Sequence, residues 1–145
     1  MLFSEARGRK VVSIATAQTV GKIDDFVVDP ATHSVIALGL KKTDSGNTLR
    51  WWAIAAFGAD AVTVTGAEKI TDADEQVAAL TGKDHRVLGS RVLSTLGDEL
   101  GTVADVDFDP TTGEILALHL ADDQVEGVRL VGVGSYAVVV QAGRA

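Results

Sequence analysis

The strongest constraint on this chain is a twenty-residue stretch that occurs twice. Residues 21–40 read GKIDDFVVDPATHSVIALGL, and residues 101–120 read GTVADVDFDPTTGEILALHL. Eight of the twenty aligned positions are identical. Such an internal duplication indicates that one structural unit is built twice, so the fold of one half predicts the fold of the other.

The repeated stretch has the pattern of a β-hairpin. In the second copy Val106 and Phe108 lie on one face of an extended strand, and Asp105, Asp107 and Asp109 lie on the other. An apolar, β-prone run follows the turn. We therefore predict a strand with one buried face, a tight turn and a return strand in each copy.

The turn has nearly the same chemistry in both copies. An aspartate can bond back to the turn backbone, the next residue is a proline that presets φ, and the last position favours a left-handed residue. Glycine suits that last position, and histidine tolerates a positive φ better than most residues do. The predicted turn residues are Asp29, Pro30 and His33 in the first copy and Asp109, Pro110 and Gly113 in the second.

The flanking segments extend the duplication to two whole units. Short β-prone runs with regularly placed glycine turns predict an all-β fold of small closed or nearly closed barrels. We place the units at residues 1–64 and 87–145. The connector, residues 65–86, is predicted to hold a short helix capped by Thr71 or Asp72. Each unit has about 60 residues, and a unit of that size buries only a marginal hydrophobic core by itself. We therefore expect the two halves to pack against each other or against a second chain.

Several of these features together resemble the PRC-barrel domain. They are an opening of the form Leu-Gly-x-x-Val, a glycine before the strand, an aspartate inside it, an Asp-Pro-x-Thr-Gly turn and a closing Gly-x-x-Ala-Val-x-Val. The first copy has the same order of features, but His33 replaces the turn glycine and the loop at 16–19 has no glycine. The resemblance covers nearly the whole chain twice. It implies two compact PRC-type barrels of bent antiparallel strands in tandem.

The resemblance also carries expectations about function. PRC-barrel domains occur at the cytoplasmic end of the photosynthetic reaction-centre H subunit, in the ribosome maturation factor that binds a small-subunit protein, and as small stand-alone proteins. In these settings the module is a docking surface. No catalytic motif comes with it, so we expect a chain that is not an enzyme.

Candidate metal and catalytic residues do not form a complete set. Asp105, Asp107 and Asp109 resemble the start of an EF-hand loop, but Pro110 stands where a glycine is required and Leu116 where the bidentate glutamate should be. The chain has no cysteine and three widely spaced histidines. No nucleophile elbow or phosphate-binding glycine loop is present. We therefore predict no metal, no cofactor and no catalytic residue.

Asp25 and Asp105 occupy the same position in the two copies. Catalytic pairs must converge in a pocket, whereas recurrence within a duplicated chain is typical of a structural role. We expect these carboxylates to accept backbone N–H bonds at a bend in the strand.

The tryptophan pair Trp51 and Trp52 is the most suggestive candidate for a contact with another protein. We interpret residues 49–54 as a strand, in which adjacent side chains point to opposite faces. One tryptophan can then be exposed beside Arg50, Lys41 and Lys42, and tryptophan and arginine are frequent interface anchors. The alternative is that the neighbouring barrel buries both.

The two halves differ in charge. Residues 1–64 carry seven basic and six acidic side chains, a net charge of +1, whereas residues 87–145 carry three and nine, a net charge of −6. The acidic half would repel phosphate groups, so nucleic acid is not the expected partner. No apolar run reaches the roughly 18 residues that a membrane span needs. The start, MLFSEARGRK, lacks the apolar centre of a signal peptide, and we expect a cytoplasmic protein.

Three functional hypotheses follow. The first is a non-enzymatic adaptor or scaffold that binds an unidentified partner protein, with a homodimer as a further option. The second is an RNA- or ribosome-associated module that resembles the barrel of the ribosome maturation factor and uses the basic residues of the first half. The third is an enzyme or small-ligand site in a crevice between the barrels.

Overall fold

The computed structural model describes residues 1–143. The first repeat consists of α1 (Phe3–Ala6), β1 (Lys10–Ser13), β2 (Thr19–Asp29), β3 (Ser34–Lys41), β4 (Thr48–Arg50), β5 (Ala56–Phe57) and β6 (Ala61–Val64). The second repeat consists of β7 (Arg91–Ser94), β8 (Glu99–Thr102), β9 (Asp105–Phe108), β10 (Ile115–His119), β11 (Gln124–Glu126), β12 (Leu130–Val133) and β13 (Val138–Val140). Between them lies α2 (Glu75–Ala79). The all-β class and the short connector helix are confirmed.

Both repeats have the same strand order. The first forms one sheet in the order β4-β3-β2-β1-β6-β5. The second forms two sheets, β11-β10-β9 and β12-β13-β7-β8, which give the same order once β8 and β9 are joined. The duplication in the sequence is therefore a duplication of topology.

Each sheet is strongly curled, as the connection from β4 to β5 requires. These consecutive strands lie at the two ends of a six-stranded sheet, which would be about 24 Å apart if the sheet were flat. The six Cα steps from Arg50 to Ala56 span at most about 21 Å, and a 3₁₀ turn at Trp51–Ala53 shortens them further. The two ends of the sheet therefore approach each other, as in a small barrel.

One strand pair in each repeat departs from the antiparallel arrangement that the sequence predicted. β1 pairs with β6 in parallel, and β7 pairs with β13 in parallel. The reason is that the last strand of each repeat returns across the curled sheet to lie beside the first. All other strand pairs are antiparallel.

The two repeats share one hydrophobic core. Buried side chains of both repeats belong to a single cluster. At its centre the Phe3 ring stacks on Phe26 with a centroid distance of 4.0 Å and meets the edge of Phe108 at 5.4 Å. Phe26 and Phe108 come from different repeats and lie 5.8 Å apart. Each half therefore relies on the other to complete its core.

The two hairpin turns also pair with each other. Val35 N–H donates to the carbonyl of Gly113 at 2.8 Å, and Ile115 N–H donates to the carbonyl of His33 at 2.8 Å. Val35 and Ile115 are equivalent positions, as are His33 and Gly113. The contact is thus reciprocal, which is the pattern expected when two copies of one unit meet face to face.

The lead-in segment of each repeat reaches across to the other. The Ser4 N–H in α1 donates to Asp105 Oδ1 at 3.1 Å, and the Ser4 hydroxyl donates to Asp105 Oδ2. In the reverse direction Arg86, just before the second repeat, has its Nε 3.6 Å from Asp25 Oδ2. The two recurring aspartates therefore each hold the segment that leads into the other repeat.

The connector helix begins later than predicted. Its N-cap is Asp74, whose Oδ1 accepts the N–H of Val77 at 2.9 Å, and not Thr71 or Asp72. The reason is that Thr71 is already engaged in a β-bridge with Thr48, which keeps the chain extended up to that point. In the described residues no helix has the length and apolar character needed to cross a bilayer.

Candidate protein interface

The tryptophan pair lies on a 3₁₀ turn and not on the strand that the sequence predicted. β4 ends at Arg50, and Ile54 N–H donates to the carbonyl of Trp51 at 3.2 Å to close the turn. The turn replaces a strand because the chain must leave one end of the curled sheet and enter the other. The second repeat has the same turn at Gly127–Arg129.

Trp51 anchors the turn to the shared core. Its ring centroid lies 5.7 Å from that of Phe57 and 6.3 Å from that of Phe108, which belongs to the second repeat. The ring also lies close to Gly113, where a Cβ atom would come within 3.0 Å of it. Trp51 therefore packs against both repeats, and this packing holds its neighbour in place.

Trp52 points outward, with 76% of its surface exposed. It belongs to an uncharged run, WWAIAAF at residues 51–57. Together with Pro110 and Thr111 from the turn of the second repeat, this run lines a groove with a cavity volume of about 500 Å³. Both repeats therefore build the groove, whose wall from residues 51–57 has apolar side chains and whose exposed surface also includes polar atoms.

The basic residues near the tryptophans have different surroundings. Arg50 is turned toward the connector, where its Nη2 donates to Gln76 Oε1 at 3.0 Å and its Nε lies 3.6 Å from Asp74. Lys41 lies on the surface 3.7 Å from Asp24, and Lys42 is exposed with a φ of 58°. Arg50 therefore holds the connector helix, and the two lysines face solvent.

A comparison with protein families identifies the fold. The family model of the PRC-barrel domain matches residues 1–69 and again residues 82–144. The chain belongs to the PRC-barrel family. It carries two copies of the domain in tandem, and the family is one of non-catalytic modules. A comparison with curated proteins found none that matches this chain.

The predicted turn residues lie where the two PRC barrels meet. Asp29 Oδ1 accepts the N–H of Ala31 at 2.9 Å, and Asp109 Oδ1 accepts the N–H of Thr111 at 2.8 Å. The residues at the left-handed position, His33 and Gly113, have φ values of 54° and 82°. Pro30 and Pro110 follow the aspartates, and Pro110 also lines the groove beside Trp52. The turn of the second barrel thus forms one wall of the candidate interface.

Asp25 and Asp105 each accept a bond from the next backbone N–H. The distances are 2.8 Å from Phe26 N and 2.9 Å from Val106 N. Both lie where the strand bends, because β2 has a register shift at Asp25 and the second barrel breaks between β8 and β9 before Asp105. The geometry is that of the structural role expected from the sequence.

Other chemistry-bearing residues stay apart. Residues 1–143 contain no group of three or more histidine, aspartate or glutamate side chains placed to hold a metal ion. A cavity of about 160 Å³ between the first barrel and the connector is lined by Asp24, Asp25 and His85 among others. It lies below the roughly 300 Å³ at which small-molecule sites usually begin.

The sequence alone predicted the tryptophans as contact candidates but did not predict the rest of the groove. Pro110 and Thr111 come from the other barrel, so no local pattern brings them beside Trp52. The one available signal was the uncharged run at residues 51–57, which ends in the edge strand β5. The matching turn of the second barrel exposes Val128, at 58%, where the first exposes Trp52.

Proposed function

We propose that this tandem PRC-barrel protein is a non-enzymatic adaptor of the cytoplasm that binds a partner protein at the groove beside Trp52. The observation that carries the proposal is the contrast between the two adjacent tryptophans. Trp51 is partly buried and packs against the shared core, and Trp52, the next residue of the same short turn, is exposed to solvent. An exposed tryptophan on a rigid support has the properties of an interface anchor.

The groove supports a particular kind of partner. The side chains along residues 51–57 are apolar, and no charged residue lines the groove. One side is the edge strand β5, which pairs on its other side with β6. Such an edge accepts an extended segment, and the apolar side chains beside it accept the side chains of that segment. We therefore propose that the partner offers an extended segment with an aliphatic or aromatic side chain that packs on Trp52.

Arg50 is not part of the proposed contact, because Asp74 and Gln76 already engage its side chain. Lys41 and Lys42 do not line the groove, and Lys41 lies at the end of β3 beside Asp24. Exposed charges outside the buried centre of an interface affect association rate more than affinity, so we expect Trp52 to contribute most of the binding energy.

The test is affinity capture of partners by the intact chain from lysate of its own cells, with and without nuclease, read by mass spectrometry. The wild-type chain is compared with Trp52→Ser and with Val128→Ser, the equivalent exposed position of the second barrel. We expect the free energy of unfolding of both variants to lie within about 0.5 kcal/mol of the wild-type value, since each side chain is exposed. We expect Trp52→Ser alone to lose a specific protein.

Two outcomes would overturn the proposal. One is a captured set that is the same for wild type and Trp52→Ser. The other is the recovery of RNA or ribosomal proteins only when nuclease is omitted, which would favour the ribosome-associated module instead.

A further inference from the structure

The first barrel contains an example of a segment bound at its own sheet edge. β4 is the last strand of the sheet, and its free side is paired by the connector at Thr71. Thr48 N–H donates to the carbonyl of Thr71 at 2.8 Å, and Thr71 N–H donates to the carbonyl of Thr48 at 2.9 Å. The neighbouring Ile70 is only 6% exposed and belongs to the core. This edge therefore accepts an extended segment with a branched aliphatic residue beside the pairing residue.

The second barrel presents the same edge without an occupant among residues 1–143. The strand equivalent to β4 is β11, and Gln124 is the position equivalent to Thr48, because His119 pairs with Gln124 as Gly39 pairs with Thr48. No strand or bridge formed by the described residues lies on the outer side of β11. The outward N–H of Gln124 is instead bonded to the exposed carboxylate of Asp123 at 2.8 Å.

The aliphatic residue beside this edge is covered in the first barrel and exposed in the second. In the first barrel Val20 and Ile70 line one small cavity, so the bound segment covers Val20. The equivalent residue of the second barrel is Leu100, which is 43% exposed. Its neighbour Gly101 lies against Leu120, whose N–H donates to the carbonyl of Asp123. The uncovered leucine is therefore close to the uncovered edge.

The charge around the edge indicates the chemistry of the occupant. Asp122, Asp123 and Glu126 are all exposed, and none of them forms a salt bridge within the described part of the chain. Acidic side chains along an edge strand discourage pairing between two copies of the same edge. They attract a segment of opposite charge.

We infer that β11 and Leu100 form a second docking site, which takes an extended, basic segment of a partner protein by β-strand addition. The segment pairs with Gln124, as Thr71 pairs with Thr48, and places an aliphatic side chain on Leu100. The carbonyl of its pairing residue replaces the Asp123 carboxylate at the Gln124 N–H. Its basic side chains lie among Asp122, Asp123 and Glu126. This site is separate from the Trp52 groove and does not depend on it.

The experiment uses the chain's own bound segment as the probe. One synthetic peptide covers residues 66–73 with Glu68→Lys and Asp72→Lys, and a second peptide has the unchanged sequence. Each is titrated into the full chain while backbone amide shifts are followed by NMR. We expect saturable shifts at Gln124, Val125 and Leu100. We expect the basic peptide to bind about five- to tenfold more tightly, with a difference that shrinks at high salt.

Variants of the protein test the pairing directly. Gln124→Pro removes an outward N–H that makes no bond to β10, and proline is tolerated at such edge positions. We expect it to weaken binding at least about tenfold while the thermal unfolding curve stays close to that of wild type. Leu100→Ser provides an independent test, with an expected loss of about fivefold, and Ile14→Ser, an exposed aliphatic of the first barrel, is its control. Trp52→Ser should leave binding of the peptide unchanged.

The inference is overturned if the basic peptide gives no saturable shifts at β11, or if the shifts lie at the Trp52 groove. It is also overturned if Leu100→Ser and Ile14→Ser bind the peptide equally well. Because Trp52 takes no part in this titration, a negative result here leaves the proposed adaptor groove to its own test.

Discussion

The two PRC barrels have the same strand order, but the long strand is continuous in the first and divided in the second. In the first, β2 runs unbroken from Thr19 to Asp29, and in the second the same stretch is divided into β8 and β9. The difference arises because β3 extends to Lys41 and pairs with Lys22, whereas β10 ends at His119 and leaves Thr102 without a partner on that side. The strand order is thus preserved although one barrel has lost part of its ladder.

The features that both barrels keep explain why the order survives. Gly8 and Gly89 have φ values of 86° and 81°. The N–H of each glycine donates at 2.9 Å to a carbonyl at the bend of the long strand, that of Ile23 in the first barrel and that of Val103 in the second. A left-handed glycine at this position turns the lead-in onto the strand. The bend therefore depends on this hydrogen bond from the lead-in glycine. It forms whether or not the long strand is paired without a break.

The shared core carries a second difference between the barrels. Phe26 corresponds to Val106, and Val28 corresponds to Phe108, so large and small side chains are exchanged. Both phenylalanines lie at the junction of the barrels. The two copies have therefore diverged to fill a single common space, and neither is packed as an independent domain.

The largest expected effect comes from emptying that space. Phe108→Ala removes a fully buried ring that contacts Phe3, Phe26, Trp51 and Phe57. We expect the free energy of unfolding to fall by about 3–5 kcal/mol, measured by urea denaturation. Val28→Ala, at the equivalent position of the first barrel, should cost less because fewer atoms are removed.

The same experiment tests whether the barrels unfold together. Both tryptophans lie in the first barrel and Trp51 contacts Phe108 of the second, so tryptophan fluorescence reports the first barrel and its junction with the second, whereas far-ultraviolet circular dichroism reports the strands of both. We expect the two signals to change at the same urea concentration in wild type and in Phe108→Ala. Two separate transitions would contradict a shared core.

A smaller effect is expected at the turn that differs most between the barrels. Gly127 occupies the position of Trp51, and a Cβ added to it would lie 1.9 Å from the carbonyl oxygen of Ile115. Gly127→Ala therefore requires the backbone to shift, and we expect a loss of about 1–3 kcal/mol in the free energy of unfolding. Gly132→Ala is the matched control, because nothing lies within 4 Å of its added Cβ. Equal losses for the two variants would contradict this explanation.

The equivalent positions Trp51 and Gly127 mark the limit of what the sequence predicts. The sequence predicted the all-β class, the hairpins and the presence of a connector helix, because strand alternation and helix-start signals are local patterns, although the cap is Asp74 and not Thr71 or Asp72. It did not predict the parallel strand pairs, the 3₁₀ turn at Trp51 or the groove wall at Pro110. Each of these depends on residues distant in the sequence: Trp51 packs against Phe108 of the opposite barrel, whereas the carbonyl oxygen of Ile115 in β10 closes the space at Gly127.

The smallest expected effect concerns the two aspartates that hold the lead-in segments. Asp105 accepts bonds from the backbone and hydroxyl of Ser4 as well as from Val106 N–H. Among residues 1–143, Asp25 accepts one hydrogen bond, from the Phe26 N–H of its own strand, and its contact with Arg86 is an exposed ion pair at 3.6 Å. Hydrogen bonds to a carboxylate contribute more than an exposed ion pair does. We therefore expect Asp105→Ala to lower the free energy of unfolding by about 1–2 kcal/mol and Asp25→Ala by less than about 1 kcal/mol.

Salt separates the two contributions, because an exposed ion pair is screened and a hydrogen bond is affected much less. Repeating the denaturation at high salt should reduce the loss seen for Asp25→Ala and leave most of the loss seen for Asp105→Ala. Ser4→Ala offers an independent check, since it removes the hydroxyl bond to Asp105 and leaves the backbone bond in place. If Asp25→Ala proves the more damaging variant, the second barrel's lead-in, and not α1, would be the stronger connection between the two repeats.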